Sequence, residues 1–163
     1  MKQTIIAVIC FLCVSSLYIQ AQKINHPSPQ RIQQVKQRMQ HEPKLQEAWG
    51  DIKRTADEAL QKKDFNRLDY LSLAYLMTDN KEYADVIKEI LLKTVEAESW
   101  GDVEMMARIP AWRSQLGMAH KSFLSAVGYD AAYNVMSSSE RKKIAEGLKR
   151  LAVEPALGDW LLE

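Results

Sequence analysis

Apolar side chains recur along this chain at intervals of three and four residues, the spacing that lines one face of an α-helix. Ile32, Val35 and Met39 mark the first stripe, and Ser28 followed by Pro29 supplies an N-cap with proline at the first helical position. Pro43 ends that helix and starts the next, in which Leu45, Trp49, Ile52, Ala56 and Leu60 keep the same period and Gly50 weakens the helix slightly. From residue 66 to 78 the pattern changes: Leu68, Leu71, Leu73, Ala74, Tyr75, Leu76 and Met77 leave almost no polar face. That predicts a helix packed on both sides. Thr78-Asp79-Asn80 breaks it, Asn80 caps the next helix, and Tyr83, Val86, Ile87, Ile90, Leu91 and Val95 form a broad apolar face. The short turn predicts an antiparallel helical hairpin.

Trp100-Gly101-Asp102 closes that unit. Residues 103–111 fit neither period, and Pro110 reads as the start of a helix running through Leu116, Ala119, Phe123 and Leu124 toward Val127, with Gly128 interrupting it and residues 129–136 as a short continuation. Ser137 and Glu140 fit a capping box. Ile144, Leu148 and Leu151 then mark the inner side of a helix that Pro155 stops, and Arg141, Lys142, Lys143, Lys149 and Arg150 read as its solvated face. No alternating β-pattern occurs, so the expected fold is all-α, built from successive antiparallel helical hairpins.

The N-terminus changes how the rest is counted. Lys2 precedes an apolar run over residues 4–19, followed by polar residues, which reads as a secretory signal peptide over 1–21 with cleavage after Ala21. The run is too short for a permanent membrane anchor. The expectation is one helical domain over 22–163, exported to the periplasm or the extracellular space, with no membrane contact after cleavage. Cys10 and Cys13 both leave with the leader, which excludes thiol catalysis, cysteine-based zinc and disulfides in the mature chain. Lys plus Arg number 22 against 21 Asp plus Glu, and removing Lys2 makes them equal. That balance argues against nucleic acid as a partner. The apolar cluster Leu157, Trp160, Leu161 and Leu162 reads as the end of a piece cut from a longer chain.

Signals for chemistry are sparse. His26, His41 and His120 show no metal-ligand spacing, no phosphate-cradling glycine loop occurs, and neither a metal nor a cofactor is expected. The densest group of residues suited to an acidic sugar is Arg108, Trp112, Arg113, Gln115, His120, Tyr129 and Asp130. A ring stacks on a sugar face, arginine binds a carboxylate, and His or Tyr moves a proton. Trp112, Arg113, His120 and Tyr129 are the substrate-binding candidates, although each has a packing or ion-pairing reading beside it.

Taken together, His26-Pro27, the hairpin over residues 70–85, Trp100, Gly128-Tyr129-Asp130 and the segment 137–141 resemble the N-terminal region of heparinase II/III-like (alginate lyase-like) polysaccharide lyases. The resemblance implies the beginning of an (α/α) toroid, with a β-sandwich domain to follow, and cleavage of uronic-acid-containing glycans by β-elimination. The implied partners are an acidic polysaccharide or oligosaccharide and the missing C-terminal part of the same protein, without which the segment is expected to be inactive. In that family the catalytic groups come largely from later elements, including an Asn-Trp segment with a neighbouring histidine. Here Asn134 is followed by Val135, and no Asn-Trp pair exists, so no catalytic residue carries over. Two other readings stand beside it. Residues 71–92 also look like one tetratricopeptide unit, though without a second copy, and the chain could be a glycan-binding helical module without catalysis.

Overall fold

The computed structural model describes residues 27–161. The predicted leader, both cysteines, His26 and Leu162 lie outside the described residues. Helix α1 spans Pro29–Met39, and the Ser28 hydroxyl accepts from the Arg31 N–H at 3.2 Å. Helix α2 spans Pro43–Lys62 and ends on Lys63, a non-glycine residue in the left-handed region at φ 50°. Asp64 then accepts from the Asn66 N–H at 2.9 Å, which shapes a 3₁₀ turn over Phe65–Arg67 leading into α3, Leu68–Thr78. Asp79 takes the left-handed conformation after α3, and Asn80 caps α4, Lys81–Thr94, by accepting from Glu82 at 3.1 Å.

Helix α3 lies at the centre: α2, α4 and α6 all pack on it. Its almost uniformly apolar sequence now has a cause. Leu68, Leu71 and Ala74 are completely covered, and the buried Ser72 donates its hydroxyl to the Leu68 carbonyl at 2.6 Å, so no polar atom is stranded there. Tyr83, Ile87 and Leu91 of α4 and Leu124, Ile144 and Leu151 from later elements complete the core. Each such side chain contributes about 1.5–3 kcal/mol by leaving water.

The second half departs from the expectation in five places. Pro110 opens no helix: a short α5 covers Val103–Met106, and α6 begins only at Leu116, running to Ala132. Gly128 does not interrupt α6. It is buried within the helix, where an added Cβ would lie 3.3 Å from both Ile87 and Leu68, so its missing side chain lets α6 approach α3 and α4 closely. The face that turns inward carries Met118 and Leu124 near its start and the small residues Ser125, Gly128, Ala131 and Ala132 beyond them, so Leu124 of the predicted stripe is buried while Leu116, Ala119 and Phe123 stay exposed. Pro155 does not stop the last helix either.

After a 3₁₀ turn over Tyr133–Val135, α7 spans Ser138–Leu148 and carries the complete capping box, with Ser137 accepting from Glu140 N–H and Glu140 accepting from Ser137 N–H. The backbone then widens into a π-helical turn over Lys149–Val153, and α8 follows over Glu154–Trp160. Pro155 sits in the first turn of α8, where a missing N–H costs least. Arg150, expected to face solvent, instead donates to the carbonyls of Val95, Ala97 and Glu98 at 2.9–3.0 Å, and so holds the chain that leaves α4. The described residues are all-α, with no strand among them.

Candidate functional site

The four substrate-binding candidates fall into three separate places. Trp112 and Arg113 lie in the non-helical stretch before α6, held against α8. One carboxylate, Asp159, accepts the backbone N–H groups of Arg113 and Ser114 at 2.5 and 2.6 Å and also the Arg113 guanidinium at 3.1 and 3.2 Å. The Asp159 side chain is only 4% exposed. Burial pushes its carboxyl up, but the N–H groups of Ser114 and Arg113 more than offset this and hold it below its ordinary value. Trp112 meets Trp160 edge-on, with ring centroids 6.1 Å apart. Arg113 is therefore engaged in closing the chain on itself.

His120 is exposed on α6. Tyr129 is half-buried near the other end of that helix, edge-on to Tyr133 at 5.6 Å, and the Arg141 guanidinium lies 4.2 Å from the Tyr133 ring centroid. Burial, and then Tyr133, raise the Tyr129 phenol above its usual range, opposite to what a base working near neutrality needs. From the start of α6 to Tyr129 the rise is about 20 Å at 1.5 Å per residue. A single sugar ring does not bridge the two ends.

A different set of residues does converge. The ends of α2 and α4, the chain that leaves α4, and α6 enclose a groove of about 640 Å³. Lys62, Lys63, Lys93 and Lys121 rim it, Glu89 is its one acid, and Phe65, Ile90 and Trp100 supply apolar wall. Lys63 pairs with Glu89 at 2.6 Å, and Lys62 reaches Glu58 at 3.8 Å. Lys93 and Lys121 have no ion pair among the described residues. Trp100 is buried and donates its indole N–H to the Thr94 carbonyl at 3.4 Å, so it forms wall and not an open stacking platform. Arg150 fixes the rim from behind, because Ala97 is both its hydrogen-bond partner and a lining residue.

Why do lysines gather here? α2 and α4 end at the groove, and the unsatisfied carbonyls of a helix C-terminus carry about half a negative charge, which favours cations in the last turn. Seen singly in the sequence, Lys62 and Lys93 therefore read as routine helix endings. The signal that could have found the groove was the coincidence of two such endings, and that requires knowing that α2 and α4 finish on the same side.

A second concavity of about 460 Å³ runs along α2, where Gly50 leaves a gap between Trp49, Lys53 and Arg54. It is formed by one helix and brings no second element to bear. Beneath it, Asp57 accepts from Lys53 at 2.7 Å and from the Tyr83 hydroxyl, which ties the α2 surface to the core. Among the described residues no three His, Cys, Asp or Glu side chains gather in a metal-binding group, and no helix is long and apolar enough to cross a membrane. No family model, curated protein or solved structure matches the chain.

Proposed function

We propose that this chain is the N-terminal helical segment of a secreted polysaccharide lyase of the heparinase II/III type, acting on uronic-acid-containing glycans by β-elimination. In this reading its helices are successive antiparallel hairpins that begin an (α/α) toroid. One observation supports it above the others: part of the set that carries the resemblance packs the helices, and another part caps them. Leu71, Ala74, Tyr83 and Ala84 of the α3–α4 pair are buried, Trp100 is buried where the chain leaves α4, Gly128 is the close-contact point of α6, and Ser137 with Glu140 caps α7.

β-Elimination needs a group that neutralises the uronate carboxylate, a base for the C5 proton, and an acid for the departing oxygen. None of these roles is assigned to a residue here. They belong in this reading to the remainder of the same protein, and export places the enzyme where such glycans are met. The test is an assay on polyuronates that follows the ultraviolet absorbance of the unsaturated product. The chain extended by its downstream sequence should form product and the chain alone should not. An extended protein that leaves every uronate glycan intact would falsify the assignment.

The lysine-rimmed groove favours a second reading, a helical glycan-binding module without catalysis. Retention on an acidic polysaccharide column, with no product from the extended protein, is its expected signature.

A further inference from the structure

We infer that the groove between the ends of α2 and α4 and the flank of α6 is a binding site for an acidic oligosaccharide, with Lys93 and Lys121 as its principal contacts. The inference rests on the glycan reading above for the class of ligand, but its place in the molecule comes from the groove alone.

Three observations bear on it. The first is size: about 640 Å³ falls in the range of small-ligand clefts, about 300–1,000 Å³. The second is charge. Four lysines stand against Glu89 and against Glu58, which pairs with Lys62, and the two helix ends subtract roughly half a charge each, which leaves the groove with about one positive charge in a chain whose overall balance is near neutral; Glu96, beside Lys93, is itself paired with Lys143. The excess is local, and a local excess attracts a ligand to one place. The third is division of labour among the cations. Lys63 and Lys62 are occupied by Glu89 and Glu58, whereas Lys93 and Lys121 come from different helices, α4 and α6, with no ion pair of their own among the described residues. Two charges on separate elements suit carboxylates or sulfates spaced along a saccharide.

The half-buried Phe65 offers apolar wall for a ring face, and Thr94 and Ser99 line the same groove with hydroxyl-bearing side chains. A nucleic acid fits less well. The wall tryptophan is buried and cannot stack on a base, and the near-neutral chain has no surplus of cations to follow a phosphate backbone.

The experiment is a calorimetric titration of the whole chain with a homopolymeric uronate oligosaccharide, a neutral glucan oligosaccharide of equal length, and a short single-stranded DNA. Wild type should bind the uronate, more weakly as salt rises, and should ignore the glucan. The double variant Lys93→Gln/Lys121→Gln should lose roughly tenfold in affinity, the sum of two exposed charge contacts. The charge-matched control Lys44→Gln/Lys142→Gln should not. Circular dichroism should report unchanged helix content in both variants. The inference is overturned by equal losses in the two double variants, by no loss in the groove variant, by comparable binding of the glucan, or by tighter binding of the DNA. Its failure is separable from that of the lyase reading. If the extended protein cleaves polyuronates with unchanged kcat and KM after Lys93→Gln/Lys121→Gln, the groove alone is refuted. If it cleaves nothing while the uronate still binds through these lysines, the lyase alone is.

Discussion

At the scale of single residues, two glycines with the same sequence appearance behave in opposite ways. Gly147 packs its backbone against Val95, and a Cβ there would overlap the valine side chain close to its own backbone, where nothing flexible can yield. Gly50 has nothing within 4 Å of where a Cβ would be. Gly147→Ala should therefore lower stability by about 1–3 kcal/mol through overpacking, while Gly50→Ala should raise it by about 0.5–1 kcal/mol through helix propensity. Urea unfolding of the two variants checks both signs. Asp159 carries a pH dependence of defined direction. Its carboxyl is held below its ordinary value in the folded chain, so its contribution is complete above the unfolded value of about 3.9 and is lost as pH falls through the lower folded value. Acid titration followed by tryptophan emission should show a change below about pH 4 as Trp112 and Trp160 separate. In Asp159→Asn that step should be absent. What the sequence made legible at this scale was local: Ser28, Asn80 and the Ser137–Glu140 pair act on groups within three residues of themselves. Arg113 was legible only as an arginine, because its partner lies 46 residues away.

At the scale of elements, helix starts were easier to read than helix faces and helix ends, and the reason is physical. A start is fixed by a cap and a proline, both contiguous in sequence, whereas a face is chosen by whatever packs against it. Helix α6 shows this most clearly. Leu116 and Phe123 of the predicted stripe stay outside while its Leu124 turns in, because α3 and α4 select a face on which Gly128, Ala131 and Ala132 permit close approach. Pro110 misled for the same reason, since the stretch it belongs to is held by Asp159 and by the Met105 carbonyl, which accepts from the Trp112 N–H at 3.1 Å. Arg150 joins two elements and can be tested as such. It donates three hydrogen bonds to carbonyls at the end of α4 from the π-helical turn, so Arg150→Ala should cost about 1–2 kcal/mol in urea unfolding. Arg150→Lys should recover only part of that, because a single ammonium lacks the planar fork that reaches several carbonyls at once.

At the scale of the molecule, the all-α architecture was legible from periodicity and from the absence of any alternating stretch. The groove was not, because it is made by the ends of helices that are far apart in sequence. Its lysines belong to α2, α4 and α6, and the loop that completes its rim is steadied by a residue of the π-helical turn. The π-helical turn has a further consequence. An α-helix advances about 100° per residue, so the extra residue in that wide turn sets the rotational phase of everything after it. Only with that offset does α8 present Asp159 to the Arg113 N–H and side Trp160 against Trp112. Regularising the turn to α geometry by removing one residue would leave both helices intact and improve their hydrogen bonding, yet turn the carboxylate about a quarter of the way round the axis and leave the clasp without its tongue.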